Sequence, residues 1–140
     1  MTSAIQHTAL GEGAAAVLAG EVEFGPQPIA MHASDATARE LVATPSGTFG
    51  ADLLRFPPGG AVPMHTHVGD HILLVISGTG YVSTPDSRVR LGPGVIYLVP
   101  SNLPHEITAD SELVLIAIGN DRRAPASPER LQLVDANSRR

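Results

Sequence analysis

The sequence predicts an all-β fold, an antiparallel sandwich or barrel, and three observations support that prediction. Short runs of β-branched and apolar residues recur from residue 48 onward, Gly- and Pro-rich turns separate them, and no long segment with helical periodicity interrupts them. The chain has 140 residues and is 43% hydrophobic, which is enough for one core. We therefore expect a single domain over residues 1–140.

The predicted elements follow these runs in chain order. Residues 1–30 are rich in Ala and Gly and weakly patterned, so we expect an N-terminal arm with some strand character around "EVEF". Near the other end, Ser127 followed by Pro128 is typical of a helix start, which predicts a short C-terminal helix over 128–136. The predicted strands between them are 48–56, 71–77, 80–84, 87–91, 95–99, 105–108 and 112–119.

Three of these strands are apolar on both faces: "HILLVI", "VIYLV" and "LVLIAI". A strand with one solvated face should alternate apolar and polar residues, so both faces of these strands need cover. One face can fill the interior of a barrel. The other requires a second sheet, the N-terminal arm or another subunit, and we expect a homodimer or higher oligomer.

Composition excludes several classes of function. The chain has no Cys, which rules out disulfides, thiolate metal sites and cysteine nucleophiles. The net charge is −5 and there is no basic patch, so we expect no nucleic-acid partner. No apolar run approaches the ~18 residues of a membrane span. The first basic residue is Arg39, too late for the positive start of a secretory signal, and we expect a cytoplasmic protein.

The stretch "PMHTHVGDH" places three of the six histidines within seven residues. His65 and His67 share one face of a strand, and Gly69 permits a turn that lets His71 begin the next strand. His105 begins another apolar run. Imidazole nitrogen binds zinc, iron, manganese and copper. The spacing predicts a metal site, although hydrogen-bonded histidines remain the alternative, as we infer for His7 and His32.

Two longer patterns around these histidines resemble the motifs of the cupin superfamily. In the first, Gly59, His65, His67, His71 and Gly78 stand at the family's spacing. In the second, Gly94 is followed by "VIYLV", "PSNLP" and His105. The resemblance covers about residues 48–119. It implies a double-stranded β-helix of the jelly-roll type, with His65, His67 and His105 bound to a metal inside the barrel.

The chain departs from the family pattern at two positions. Asn102 replaces a glycine of the second motif, and asparagine tolerates left-handed backbone better than most residues. His71 replaces the usual glutamate, which implies a four-histidine site. Asp70 is the alternative carboxylate, but strand alternation sends it to the opposite face from His71. Four neutral imidazoles would leave a divalent ion its full charge and favour an anionic oxygen ligand.

Other polar residues are weaker candidates for catalysis. Asp52 and Arg55 have opposite parity in one strand, so one of them should face inward, where it could act as an acid, a base or a partner of a ligand. Tyr97 lies in a later strand and is a candidate of the same kind. For each of these residues taken singly, an outward side chain on a sheet is the competing interpretation.

Three functions are compatible with these features. The first is an oxygenase resembling cupin dioxygenases, in which a redox metal binds an enol, phenol or dicarbonyl compound. The second is a redox-neutral metalloenzyme, an isomerase, a lyase or a cyclase resembling the polyketide cyclase-type cupins. The third is a non-catalytic small-molecule-binding cupin. Apolar strands favour an apolar or aromatic small-molecule substrate, and one divalent ion per chain (Fe, Mn, Zn, Ni or Cu) is the expected cofactor.

Overall fold

The computed structural model describes residues 28–134. The expected N-terminal arm lies outside the described residues, except for its last three positions. No helix in the described part of the chain is long and apolar enough to cross a membrane. The described strands are β1 (Ile29–Ala30), β2 (Thr37–Ala43), β3 (Gly50–Phe56), β4 (Ala61–Thr66), β5 (His71–Ser77), β6 (Gly80–Ser83), β7 (Arg88–Leu91), β8 (Ile96–Val99), β9 (His105–Ala109), β10 (Leu113–Gly119) and β11 (Gln132–Leu133).

The strands form two antiparallel sheets that face each other, as the predicted β-sandwich or barrel requires. The six-stranded sheet has the order β1-β2-β3-β10-β5-β8, and the five-stranded sheet has the order β11-β4-β9-β6-β7. Consecutive strands often lie in different sheets, for example β3 and β4 or β8 and β9. This pattern is typical of a jelly roll, in which the chain winds between two sheets.

All seven predicted strands are present, and their ends differ from the predicted ones by at most two residues. The structure adds four strands, the two-residue β1 and β11 and the longer β2 and β4. The apolar runs do not reveal β2 and β4. The β2 segment carries Arg39 and Glu40, and the β4 segment carries Pro63 beside two polar side chains. Hydrophobic patterning finds strands whose faces are apolar, and these two strands carry charged or imidazole side chains instead.

The predicted C-terminal helix is wrong over the described residues. The predicted cap is present locally, because the Ser127 hydroxyl accepts a hydrogen bond from Glu129 N at 3.1 Å. A turn follows, and then β11 pairs with β4, opposite His65 and Thr66. The pairing satisfies backbone groups along an edge of the five-stranded sheet that would otherwise be open. This tertiary contact outweighs the local helix signal; residues 135–136 lie outside the described chain.

The core fills the space between the sheets. Its fully buried side chains include Phe56, Leu91, Leu113 and Leu115. His65 and His105 are also buried, at 4% and 3% exposure, and they face each other as register partners of β4 and β9. The packing that buries the apolar side chains therefore also places two imidazoles in the interior. A polar group buried there is costly unless it has a polar partner.

Candidate metal centre

Four histidines meet at one end of the sandwich, from both sheets. His65 is near the end of β4 and His67 follows that strand directly. His105 begins β9 in the same sheet, whereas His71 begins β5 in the other sheet. The structure thus brings together all four sequence-predicted metal ligands.

Three of these side chains form a compact group. Ligand nitrogens of His65, His67 and His105 all lie within 4.8 Å of one another. The ring centroids are 4.1 Å apart between His65 and His105, and 4.9 Å apart between His67 and His105. Nitrogens bound at ~2.1 Å to one ion lie about 3–4 Å apart, so a small inward adjustment would let these three nitrogens bind one ion.

His71 lies beside this group and contacts one of its rings. It is not among the tight triad, the three histidines whose ligand nitrogens lie within 4.8 Å of one another. Its imidazole stacks on that of His67, with centroids 4.0 Å apart and planes inclined by 16°. On its other side it packs against the backbone of Gly119, its register partner in β10. A β-carbon at position 119 would lie 2.7 Å from His71 Nε2, so only glycine leaves room for this ring.

Backbone carbonyls fix the tautomers of the triad. The Nδ1 atoms of His65, His67 and His105 lie 2.8, 2.9 and 2.8 Å from the carbonyl oxygens of Pro63, Gly69 and Leu103. A carbonyl oxygen only accepts, so each Nδ1 must carry the proton and donate it. Each Nε2 then presents a lone pair, which is the form of imidazole that binds metals.

Burial keeps these imidazoles neutral. Desolvation, with smaller contributions from the neighbouring histidines and Arg130, lowers the pKa of His65 and of His71 to about 3. The same effect lowers the pKa of His105 to about 4 and shifts that of His67 downward. At neutral pH all four are uncharged donors of nitrogen lone pairs. This donor set fits a divalent transition ion, because such ions accept imidazole readily.

Two loops hold the histidine-bearing segments together. Asn102 has φ 63°, in the left-handed region, and its N–H donates to the His67 carbonyl at 2.8 Å. Asparagine therefore supports the turn that the family builds with glycine. The Asp70 carboxylate accepts from Ser101 N at 2.8 Å. It joins the two loops, and the alternative that Asp70 serves in place of His71 gains no support.

A buried ion-pair network lies beside the histidines. Asp52, 1% exposed, accepts two hydrogen bonds from Arg122, at 2.9 and 2.6 Å, and one from Arg130, at 3.0 Å. Arg122 also donates to Glu40 at 2.9 Å. Of the two weak candidates in β3, Asp52 is therefore the inward one. Arg55 lies away from the histidines and pairs with Glu112 at 3.2 Å.

Sequence reasoning missed Arg130, which lines the same cavity as the four histidines. Its positive charge contributes to the lowered pKa of His65, His67 and His71. The predicted helix over 128–136 concealed it, because an arginine on a short terminal helix is expected to be solvated. The sequence held one signal for it. Asp52 stands at a strand position that can face inward, and a buried carboxylate requires a cationic partner.

Two connected spaces adjoin the histidines on the Arg130 side. The inner one, of about 30 Å³, is enclosed by the four imidazoles, Arg130 and apolar side chains of the core. The outer one is a cleft of about 320 Å³. The two spaces adjoin, because four residues line both of them: His67, His71, Arg130 and Leu131.

Tyr97, the third candidate for catalysis, lines neither the inner space nor the cleft beside the histidines. Its hydroxyl is buried without a hydrogen-bond partner among the described residues, and burial raises its pKa above the usual range. It lines a separate cavity of about 210 Å³ between the edge strands β7 and β8, which His105 also borders. The hydroxyl therefore stays protonated and offers a donor there.

The fold recurs in solved structures. The polyketide cyclase RemF from Streptomyces resistomycificus is 20% identical, with a TM-score of 0.63 over 80% of this chain and 83% of that one. A cupin-2 domain protein from Rhodospirillum rubrum is 18% identical, with a TM-score of 0.67 over 80% and 77%. A predicted oxalate decarboxylase from Thermotoga maritima is 20% identical, with a TM-score of 0.61 over 70% and 93%.

A search of the curated proteins finds no match. Residues 52–119 match the family model of the cupin domain. That segment runs from Asp52 to the end of β10 and includes all four histidines and both motif patterns. The match, the jelly-roll topology and the likeness to solved cupins agree: the chain belongs to the cupin superfamily.

Proposed function

We propose that His65, His67, His71 and His105 bind one divalent transition ion per chain, and that the protein is a metal-dependent enzyme acting on a small enol or carbonyl compound. The observation that carries this proposal is the convergence of neutral imidazoles whose Nδ1 atoms are already occupied by carbonyls. That arrangement leaves the Nε2 atoms as donors in a small cavity that the imidazoles share with Arg130 and apolar side chains. A buried polar cluster of this kind is costly unless it serves a ligand.

The bound ion would supply Lewis acidity toward an oxygen atom of the substrate and, for iron, manganese or copper, redox chemistry. The chain's residues do the remaining work. Core side chains such as Leu73 and Leu131 line the inner space and exclude water. The cleft beside His67 and His71 is large enough for a small organic molecule, and it opens directly on the imidazoles.

Oxygenase chemistry on an apolar or aromatic enol is the reaction we favour, because an ion held by four protein ligands would have room for both a substrate oxygen and dioxygen. Redox-neutral chemistry is the second candidate. The likeness to a protein described as a polyketide cyclase favours it, since cyclisation needs only a polarised carbonyl. A binding protein without turnover is the third, and no observation on the structure favours it.

Metal analysis of the purified protein tests the site. We expect about one ion per chain in the wild type, and loss of that ion in a His65→Ala/His67→Ala double variant. His32→Ala is the matched control, because His32 lies outside the cluster. Full metal occupancy in the double variant would contradict the assignment.

Dioxygen dependence separates the candidate reactions. The metal-loaded protein should be incubated with enolisable 1,3-dicarbonyl and phenolic compounds, with and without oxygen, while dioxygen and products are followed. Oxygen consumption matched to product supports the oxygenase, and equal product formation under anaerobic conditions supports the redox-neutral enzyme. Binding without product in both atmospheres supports the binding protein.

A further inference from the structure

Among the residues that line the inner space beside the histidines, Arg130 is a cation and none is a carboxylate. Arg122 and Arg130 share the single carboxylate of Asp52, and the side chains of all three are at most 5% exposed. Glu40 also contacts Arg122, but its side chain is 47% exposed and lines neither the inner space nor the cleft. The four imidazoles are neutral, so they offset none of this charge.

The Arg130 guanidinium is only partly used by the protein. Its Nη1 donates to Asp52 at 3.0 Å and to the Arg123 carbonyl at 2.7 Å. Its Nε and Nη2 donate to no residue of the described chain. These two bonds fix the orientation of a planar group, and the remaining donors stay available on a residue that lines both the inner space and the cleft.

A metal in the proposed site would make the excess charge larger. A divalent ion held by neutral imidazoles keeps its charge of +2, and Arg130 lies at the wall of the same small cavity. Repulsion between two cations in a poorly solvated space is costly unless an anion lies between them. Arg130 shares its buried carboxylate partner Asp52 with Arg122, so Asp52 offsets only part of this repulsion.

We propose that Arg130 binds a carboxylate of the substrate in the cleft beside the metal centre. The substrate class is then an oxo acid, a molecule that combines an enolisable carbonyl with a carboxylate. This inference rests on the proposed function, in which an oxygen of the substrate binds the metal. It adds a carboxylate as a second anionic group of the same substrate. Arginine suits that task because two of its N–H groups can donate to both oxygens of one carboxylate.

The test compares two ligands of almost equal shape, acetoacetate and acetylacetone. Both carry one methyl ketone, and the second carbonyl group is a carboxylate in acetoacetate and another methyl ketone in acetylacetone. Binding to the metal-loaded protein is measured by calorimetry without oxygen. We expect wild-type protein to prefer acetoacetate. Arg130→Gln should weaken acetoacetate binding by about tenfold or more and change acetylacetone binding by less than about threefold.

Arg123→Gln is the matched control, because Arg123 lines the same cleft while lying outside the histidine cavity. It should weaken acetoacetate by less than about threefold, as expected for a screened charge. Arg130→Lys keeps the charge beside Asp52 and serves if Arg130→Gln does not fold. Lysine lacks the planar fork, so we expect an intermediate loss of acetoacetate affinity.

Two results would overturn the inference, and they differ in what else they overturn. Equal losses for both ligands in the Arg130 variants, with metal content unchanged, would remove the carboxylate site and leave the metal centre intact. A wild-type protein that retains no metal would contradict the proposed function and this inference together. Metal content is therefore measured on every sample before calorimetry.

Discussion

His71 determines the net charge of the proposed metal centre, because the cupin pattern usually carries glutamate there. We expect His71→Glu to keep the metal, since a carboxylate oxygen can enter the same coordination sphere. The added negative charge should weaken the hold on an anionic substrate and alter activity. His71→Ala should weaken metal binding less than His65→Ala, because three imidazoles still converge. Metal titration of the purified variants measures this order.

The stacked position of His71 makes the result informative. Its ring contacts His67 and lies outside the tight triad of ligand nitrogens. Metal content and activity at wild-type levels in His71→Ala would mean that the site uses three histidines. "VGDH" would then be only a turn into β5.

Gly119 controls the position of the His71 ring. In Gly119→Ala the new β-carbon would collide with that ring, so we expect a metal affinity close to that of His71→Ala and a stability loss of about 1–3 kcal/mol. The double variant should bind metal no more weakly than His71→Ala alone. Gly92→Ala is the control, since a β-carbon at position 92 meets no atom within 4 Å. Independent, additive losses would contradict the contact.

At the scale of residues, strand alternation and one short turn predicted that His65, His67 and His71 converge, and the resemblance to the cupin motifs added His105. That reasoning did not predict that Arg130 lies beside the histidines, or which arginines pair with Asp52. Asp52 and Arg130 are 78 positions apart, and no local pattern joins them. Such pairs depend on how the sheets face each other, which periodicity along one strand does not encode.

The turn between β8 and β9 depends on the left-handed backbone of Asn102. We expect Asn102→Ala to cost about 1 kcal/mol of unfolding free energy, because alanine lacks the short polar side chain that lets asparagine tolerate left-handed backbone at φ 63°. Asn102→Gly has no β-carbon to crowd the backbone and should stay close to the wild type. Urea unfolding of the two variants gives the comparison. Equal stabilities would show that backbone conformation at this turn contributes nothing.

At the scale of elements, the strands were predictable where both faces are apolar. The β11 segment was not, since "PERLQL" has local features of a helix start and becomes a strand only through pairing with β4. An unsatisfied sheet edge is a property of the assembled fold. Local signals therefore fail where a tertiary hydrogen-bond partner is available.

At the scale of the molecule, the outer face of the six-stranded sheet carries two apolar rows across β10, β5 and β8. The larger side chains there include Ile72 at 42% exposure and Leu98 at 63%. Apolar groups exposed together in this way are typical of a binding surface. By strand register, the rows are Ile118–Ile72–Leu98 and Ile116–Leu74–Ile96.

We propose that this face is the interface of the homodimer predicted from the two-sided apolar strands. Ile72→Lys should convert the dimer to a monomer in sedimentation velocity at micromolar concentration, because a charge in the centre of the patch cannot be buried without a partner. Val89→Lys is the control, since Val89 is similarly exposed, at 47%, but lies in β7 of the other sheet. A wild-type monomer would contradict the proposal.

The long sequence separation within the ion-pair network has a consequence for folding order. The Arg122–Glu40 contact joins residues 82 positions apart, and Arg130 reaches Asp52 across 78. Closing such loops costs more entropy than pairing β4 with β9, so we expect the network to form late. Pulse-labelled hydrogen exchange should protect Ile107 N before Val134 N, which donates to Met64 O; simultaneous protection would contradict this order. Arg130 is then the last charged group to reach the histidines, and a metal ion can enter before its cationic neighbour arrives.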